Sequence, residues 1–386
     1  MKIIQVHNFY QFSGGEDVVV ENERKLLESK GNSVFQFIKE NKEINGYSFL
    51  KKANLINASV WSQASFHEIK ELIKKVKPDI CHVHNYMPLI SPSVFSACGE
   101  MKVPVLQTLH NYRMLCANAF LFRNGKVCEE CVGKSLYHGV RYGCYRSSRV
   151  QTFAVARMIE SNKKKGMWDG GVDGYIALTD FSKNKFIKGG LPADKIFVKP
   201  NFLFEDPGYS GKDENYFFFA GRLDETKGID VLIEAANELP GVKFKVAGDG
   251  PLKEKVTAVQ NIEYLGQLEK DELLKRVKNS IALIFPSIVF ESMPMTILES
   301  FACGKPVIGS KLGAMAEIIE DGKTGLLFEP GSAKALVEKI EWAIKNKDEM
   351  KQMGINARKE YEEKYSAEKN YEMLMEIYNN LVRIYC

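Results

Sequence analysis

Short runs of consecutive apolar residues alternate along this chain with longer stretches in which apolar residues recur every three or four positions. The short runs read as strands buried on both faces, the longer stretches as amphipathic helices. Through the first half the pattern predicts strands over residues 2–7, 33–38, 79–83, 103–109, 174–178 and 196–199, with helices near 16–30, 66–77, 91–100, 150–163 and 180–188. Residues 206–215 (DPGYSGKDEN) concentrate Pro, Gly and charge and predict a linker. A second series follows, with strands over 216–220, 242–247, 262–265, 281–285, 306–309 and 325–328; after Ser332 the pattern is helical. Such alternation predicts an α/β fold class, here two doubly wound domains facing one another across a cleft, with ligands at the carboxyl ends of both sets of strands. The domains are placed at 1–205 and 206–365, followed by a terminal helix over 366–386 with Tyr371, Leu374, Met375, Tyr378, Leu381 and Val382 at helical spacing.

With 386 residues, 45% of them hydrophobic, the chain is too long for a single small binding module, and its 11% aromatic content excludes disorder. The longest stretch without Asp, Glu, Lys or Arg, Ile80 to Gly99, contains His82, His84, Asn85, Pro88 and Pro92 and cannot span a bilayer. No apolar leader opens the sequence, which predicts a cytoplasmic protein. The net charge of +4 hides an asymmetry: residues 1–200 carry 29 Lys+Arg and 18 Asp+Glu (+11), residues 201–386 carry 24 and 31 (−7). A basic first half suits an anionic partner such as the inner face of a membrane, or is simply a set of solvated helix faces. The segment FHEIKELIKKVK, Phe66 to Lys77, aligns Phe66, Ile69, Leu72, Ile73 and Val76 on one face, with Lys51, Lys52 and Lys163 to Lys165 adding charge. Such a face either lies on an anionic bilayer as a peripheral contact or packs on its own sheet. No nucleic-acid-binding pattern accompanies the basic residues.

Cys116, Cys128, Cys131 and Cys144 give the spacing C-x11-C-x2-C-x12-C within a Cys-rich insertion over residues 112–147. The CxxC places two thiolates on one turn, and the flanking pair could complete a tetrahedral structural zinc site; reduced thiols are the alternative.

Several strand ends carry candidate chemistry. The first strand leads through Gln11-Phe12-Ser13 into Gly14-Gly15 at a helix start, where backbone amides can approach a phosphate or sugar, although a plain glycine turn with Glu16 and Asp17 complementing the helix dipole reads equally well. Two more strands end in His84 and His110. In the second half Arg222 and Lys227 share one strand-to-helix loop and would make a diphosphate clamp. The segment Phe290-Glu291-Ser292-Met293-Pro294-Met295 leads into a helix containing Glu299, with Ser292 as the expected cap and amides around Met293 and Met295 at the positive end. Two carboxylates at this spacing can accept hydrogen bonds from two sets of vicinal hydroxyls.

The series GRLDETKG, VAGDGPLKE, FPSIVFESMPMTILESFACGKPVIGS and DGKTGLLFEPG closely resembles retaining nucleotide-sugar glycosyltransferases of family 4, which have the GT-B fold of two Rossmann-like domains; Glu291 and Glu299 match that family's E-x7-E motif. The resemblance covers nearly the whole chain. It implies that residues 1–205 form the acceptor side, residues 206–365 bind the nucleotide-sugar donor, and the terminal helix crosses back to the first domain. It further implies that Arg222 and Lys227 bind the donor diphosphate, Glu299 the ribose hydroxyls and Glu291 a hydroxyl of the transferred sugar, while amides from Ser292 through Met293 and Pro294 to Met295 hold sugar or phosphate. Gly14 and Gly15 would lie against the donor phosphate, and His110 near the reacting carbon. No catalytic metal is expected, and the acceptor would be a saccharide or lipid-linked saccharide of a cell-surface polysaccharide. Asn111 stands where the family often has Asp, and Gly313-Ala314-Met315-Ala316-Glu317-Ile318 replaces its Gly-Gly before Pro-Glu-Ile, departures that touch sugar positioning. Acceptor contacts would come from loops over 40–65 and 112–150.

Rival readings are a sugar-nucleotide epimerase on the same fold and a non-catalytic nucleotide-sugar-binding protein. A nucleotide-binding oxidoreductase is suggested by Gly248-Asp249-Gly250, but the run lacks the third glycine of the dinucleotide fingerprint and follows the second strand of its domain.

Overall fold

The computed structural model describes residues 1–11, 14–209 and 211–385, and of Ala53 only the backbone. The chain divides into two compact units: Met1–Leu121, Glu129–Phe204 and Asn370–Cys386 form the first, Phe122–Cys128 and Glu205–Lys369 the second. Among the described residues each unit holds a six-stranded, all-parallel sheet.

In the first unit the strands are β1 (Lys2–Phe9), β2 (Ser33–Glu40), β3 (Ile80–Val83), β4 (Val105–Leu109), β5 (Gly174–Ala177) and β6 (Ile196–Val198), in the order β2-β1-β3-β4-β5-β6. β1 pairs on both edges, Ile3 facing Val34 on one side and Ile80 on the other, which is why its apolar run is continuous rather than alternating. The order reverses between β1 and β3, so the crevice available to a ligand lies beyond the carboxyl ends of those two strands.

Helix α1 (Gly15–Ser29) buries Val19, Val20, Leu26 and Leu27 together with two carboxylates, Asp17 and Glu23. A 3-10 turn (Asn41–Gly46) and α2 (Phe49–Val60) occupy the segment expected to be a variable loop. The helix escapes a periodicity reading because it has no apolar stripe turned inward: Phe49 and Leu50 open it fully exposed. In α3 (Gln63–Val76), capped by Ser62, the side chains of Phe66, Ile69, Ile73 and Val76 are at most 7% exposed. The apolar face of this segment therefore belongs to the unit's own core, and its reading as a bilayer-facing helix is corrected. Helix α4 (Arg149–Lys164), capped by Ser148, packs beside α2 through Arg157–Asn57 (2.6 Å) and Asn162–Val60 (3.2 Å).

The second unit has β7 (Phe217–Ala220), β8 (Phe244–Ala247), β9 (Ile262–Gly266), β10 (Leu283–Phe285), β11 (Val307–Ser310) and β12 (Gly325–Phe328), in the order β9-β8-β7-β10-β11-β12. Its switch point falls between β7 and β10. Helix α5 (Met295–Ala302) follows β10. The segment expected as a linker is fastened to this unit: Arg358 holds the Asp206 carboxylate through both terminal nitrogens (2.6 and 2.5 Å), and Lys278 donates to the Pro207 carbonyl; Ser210 lies outside the described residues.

The terminal helix α6 (Ala367–Arg383) packs on the first unit from Asn370 onward, burying Leu374, Ile377, Tyr378 and Leu381, with Lys199 donating to Asn370 Oδ1 (3.0 Å). Cys386 lies outside the described residues. Among them no helix is long and apolar enough to cross a membrane.

Candidate functional site

In the second unit the switch point decides what meets. β7 and β10 are neighbours, so the loop from Gly221 to Lys227 and the loop from Pro286 to Pro294 emerge side by side although distant in sequence. Asp224 caps the 3-10 turn Glu225–Lys227, accepting from the Thr226 and Lys227 amides (3.0 and 3.3 Å), and also holds the Arg222 guanidinium. Lys227 Nζ donates to Glu291 Oε1 (2.6 Å), and Ser287 Oγ donates to the same oxygen (2.7 Å). Gly248 explains the GDG run without a dinucleotide: at φ +132° its chain passes against the Gly221 carbonyl, where a Cβ would collide. Leu223 N–H then donates to the Asp249 carbonyl (2.9 Å), so the run shapes the Arg222 loop.

The cap of α5 is Pro294, not Ser292, and among the described residues no side chain caps it, because the chain enters the helix through an extended proline at φ −70°, ψ 125°. Met293 is buried, whereas Ser292, Pro294 and Met295 are half-buried. Glu291 lies before the helix and Glu299 inside it. Burial pushes the Glu299 carboxyl up to about 7, with Lys270 opposing. In the unfolded chain this carboxyl ionises near 4.3, so folding takes up a proton between those values and stability falls as pH rises through 7. Glu299→Gln is expected to erase that fall, exceeding wild type by up to about 3 kcal/mol above pH 7 and matching it near pH 4. Urea unfolding at a series of pH values measures this; parallel curves for the two proteins would remove the perturbed carboxyl.

In the first unit Gly14 caps α1 and its N–H donates to Asp17 Oδ2 (3.0 Å), while His7 Nε2 lies 2.8 Å from Asp17 Oδ1. Gly14 and Gly15 are exposed; Phe12 and Ser13 lie outside the described residues. Beside this turn Tyr10 and Asn111 both donate to Glu16 Oε2 (3.2 and 3.3 Å), and burial, then the neighbouring Asp17, pushes the Glu16 carboxyl up to about 8.

His84 and His110 stand directly after β3 and β4, with His84 Nδ1 3.0 Å from His110 Nε2. Below them is a buried charge network. Glu23 Oε1 lies 2.9 Å from His82 Nδ1 and 3.1 Å from His84 Nε2, and Glu23 Oε2 lies 3.7 Å from Lys199 Nζ. Burial drives the His84 imidazole down to about 3 and the His110 imidazole well below its usual range. Burial raises Glu23, but the contacts of His82 and His84 outweigh it and hold the carboxyl well below its ordinary value. An ionised Glu23 facing His84 Nε2 favours the proton there, which leaves Nδ1 to accept from His110 Nε2–H. His110 is then left with an unprotonated Nδ1 as an acceptor. Glu23, His82 and His84 bring three ligand atoms within 4.8 Å of one another, yet the buried Lys199 already supplies the countercharge a cation would bring. Sequence reasoning missed Glu23 and Lys199, and read Asp17 only as complementing the helix dipole. The available signal was two carboxylates on the apolar face of α1.

Of the four cysteines expected to hold zinc, Cys116 is buried and Cys128, Cys131 and Cys144 are half-buried. Cys116 is buried on the turn after β4, with Sγ 3.0 Å from Asn118 Oδ1, and Cys144 packs beside Gly139.

Residues 205–360 match the model of the family Glycosyl transferases group 1. Over 207 residues the chain is 33% identical to an uncharacterized glycosyltransferase of Methanocaldococcus jannaschii, covering 51% of this chain and 58% of that protein. Over 385 residues it is 22% identical to the poly(ribitol-phosphate) alpha-N-acetylglucosaminyltransferase of Staphylococcus aureus, covering 92% of this chain and 75% of that one. The chain spans about half the length of several curated relatives it matches. Among solved structures, HepE of Anabaena in complex with UDP superposes with a TM-score of 0.66 at 18% identity, covering 99% of this chain and 100% of that one. The two parallel-sheet domains and this likeness define the fold as GT-B.

Proposed function

We propose that this protein is a retaining glycosyltransferase that moves a sugar from a nucleotide-diphosphate donor to a hydroxyl of a saccharide or lipid-linked saccharide in cell-surface polysaccharide synthesis. The observation that carries the reading is the meeting of Lys227 with Glu291 at the switch point of the second unit, on the loop that also carries Arg222 and just before α5. The family match over residues 205–360 supports the reaction class, and the UDP held by HepE supports a nucleotide-sugar donor. The Staphylococcus relative supports a polymer acceptor of the cell surface.

In this reading Arg222, Lys227 and the α5 amides stabilise negative charge developing on the leaving diphosphate. Glu299 accepts from the ribose hydroxyls, and Glu291 from a hydroxyl of the transferred sugar. In the first domain, Gly14 and Gly15 admit a phosphate and His110 offers Nδ1 to a sugar hydroxyl. The bond from the anomeric carbon to the phosphate oxygen breaks as the acceptor oxygen bonds to that carbon from the same side, and the acceptor proton passes to the departing phosphate.

A thermal-shift panel of uridine, guanosine and adenosine diphosphate sugars tests the donor class. One base is expected to raise the melting temperature in a concentration-dependent way, and the corresponding nucleotide sugar to be slowly hydrolysed without acceptor. No shift with any of them at millimolar concentration would sink the donor assignment. A shift without hydrolysis or transfer would favour a non-catalytic binding protein, and interconversion of sugar epimers the epimerase.

A further inference from the structure

The start of α1 sets two chemistries against each other. Its glycine turn suits a donor phosphate, yet the next two residues, Glu16 and Asp17, are both acids. Gly14 lies at φ −131°, ψ 178°, a conformation open to any residue, and a Cβ there would meet nothing within 4 Å. Neither the backbone nor the packing of the described residues asks for glycine at 14, so what its missing side chain leaves is room above the turn. Among the described residues the backbone N–H groups of Gly15 and Glu16 find no acceptor, as the first turn of a helix leaves them. Amides and space suit an anion. Two ionised carboxylates in the same place would repel it.

The structure treats the two acids differently. Asp17 is buried, accepts the Gly14 N–H on Oδ2 (3.0 Å) and lies 2.8 Å from His7 Nε2 through Oδ1. Glu16 is half-buried and has neutral partners: Tyr10 O–H and Asn111 Nδ2 both donate to Oε2 (3.2 and 3.3 Å), and Oε1 has no partner among the described residues. A carboxylate at 111 would offer Oε2 no donor. The charged and titratable groups around Glu16 come from three elements. From α1 the Asp17 carboxylate opposes its ionisation; after β4 Arg113 favours it, although that guanidinium is engaged with the Ala117 carbonyl (2.5 Å) and the centre of the Tyr145 ring (4.7 Å). At the end of β1 burial holds the Tyr10 hydroxyl in its neutral form, and His110, beside Asn111, is held uncharged in the same way. Burial and Asp17 prevail over Arg113 and over the helix start, and the carboxyl keeps its proton up to about 8. Since both donors point at Oε2, that proton sits on Oε1, where it faces no protein acceptor.

We propose that Glu16 binds the donor diphosphate as a neutral acid, its Oε1–H donated to a phosphate oxygen seated on the Gly15 and Glu16 amides, and that loss of this proton expels the donor. The inference rests on the transferase reading, in which a donor phosphate lies on this turn. Below about pH 8 the acid is a hydrogen-bond donor to the anion; as pH rises through that value it becomes a second carboxylate beside Asp17 and repels the phosphate. A nucleotide sugar does not change its own diphosphate charge over this range, so the loss belongs to the protein.

Titration calorimetry measures the affinity of wild type, Glu16→Gln and Glu16→Ala for the nucleotide sugar that thermal shift selects, from about pH 6.5 to about pH 9. Gln keeps an N–H in place of the acid at every pH, and Ala has none. Wild type and Glu16→Gln are expected to bind alike at the low end, and wild type to be about tenfold weaker than Glu16→Gln at the high end, about one pH unit above the midpoint of the carboxyl. Taking the ratio at each pH cancels the Glu299 carboxyl and every other group common to both proteins. Glu16→Ala should bind at least about threefold more weakly than Glu16→Gln throughout. Carbon-13 spectra of the ligand-free protein should show a glutamate carboxyl that titrates near about pH 8 and is missing in Glu16→Gln. The proposal is overturned by a wild-type to Glu16→Gln ratio that stays level with pH, by Glu16→Ala binding like wild type at the low end, or by absence of that carboxyl signal. Unchanged donor affinity with impaired transfer would overturn it too, and move Glu16 to the acceptor. If wild type binds no nucleotide sugar at any pH, the donor assignment falls together with this one, a result distinct from binding with a level ratio.

Discussion

Lys227→Ala is expected to lower kcat/KM for sugar transfer by about 100- to 1,000-fold, the scale of removing one preorganised charge from a developing anion. Lys227 is held where a diphosphate would arrive: Asp224 caps its turn, the turn follows β7 at the switch point, and Nζ rests on Glu291 at 2.6 Å. The pair is part-buried, with side-chain exposures of 23% and 14%, so its loss should cost folding no more than about 1 kcal/mol. Turnover and stability therefore separate in this variant. Lys227→Arg keeps the charge but replaces a compact ammonium with a planar fork, and should recover only part of the activity. Glu291→Gln supplies the second corner of a cycle. If Lys227 serves only to position Glu291, the double variant loses no more than Glu291→Gln alone; if it binds the diphosphate, the losses compound. Steady-state kinetics with the donor found by thermal shift measures this, and wild-type turnover in Lys227→Ala would remove the residue from the site.

The second large effect is on stability. Glu23→Ala should destabilise the first unit by about 3–5 kcal/mol, because it strands Lys199, itself 2% exposed, without its countercharge. Lys199→Met in the same chain should restore much of the loss, since replacing both partners leaves no buried charge. The pH dependence has a definite sign. The Glu23 carboxyl is held well below its unfolded value, so the stability it contributes is complete above about pH 5 and is lost as pH falls toward the folded value. Urea unfolding from pH 7 down to 3 measures both effects; a Glu23→Ala loss under 1 kcal/mol would show that the network is not structural. Glu23→Gln adds a finer readout. It removes the ionised acceptor facing His84 Nε2, so nitrogen-15 spectra of labelled histidines should show His110 shifting away from a single tautomer with an unprotonated Nδ1.

Particular residues show how far the order of amino acids reaches. The strands from β1 to β12 are legible because each is a short apolar run closed by a turn residue, and parallel sheets bury both faces of a strand. Arg222, Lys227 and Glu291 were singled out because they stand in the loops that follow strands, where a doubly wound sheet gathers its ligands, whereas Lys199, directly after β6, is buried and was not. Helix α2 was not, because its exposed start carries Phe49 and Leu50 and its inward face carries few large apolar residues. The cap of α5 was misplaced by two residues, because Ser292 has the right chemistry but the chain turns helical only after Pro294. The amphipathic face of α3 admitted two readings, and packing settled it in favour of the unit's own core.

By itself, then, the sequence determined the α/β class, the strands of the two parallel sheets and the residue types available at their ends, because periodicity and turn chemistry are local; the short antiparallel pair Phe122–Arg123 and Lys126–Val127 was not read from it. Only the tertiary structure decided which ends are neighbours. Strand order is set by crossover connections, which place β1 beside β3 and β7 beside β10, and so bring Lys227 to Glu291. The partners of the buried charges were likewise out of reach, since Glu23 meets His82, His84 and Lys199, and His82 meets Tyr378 across 296 positions of chain. A buried charge is stable only beside its countercharge, and that pairing exists once the sheet and the terminal helix have closed around it.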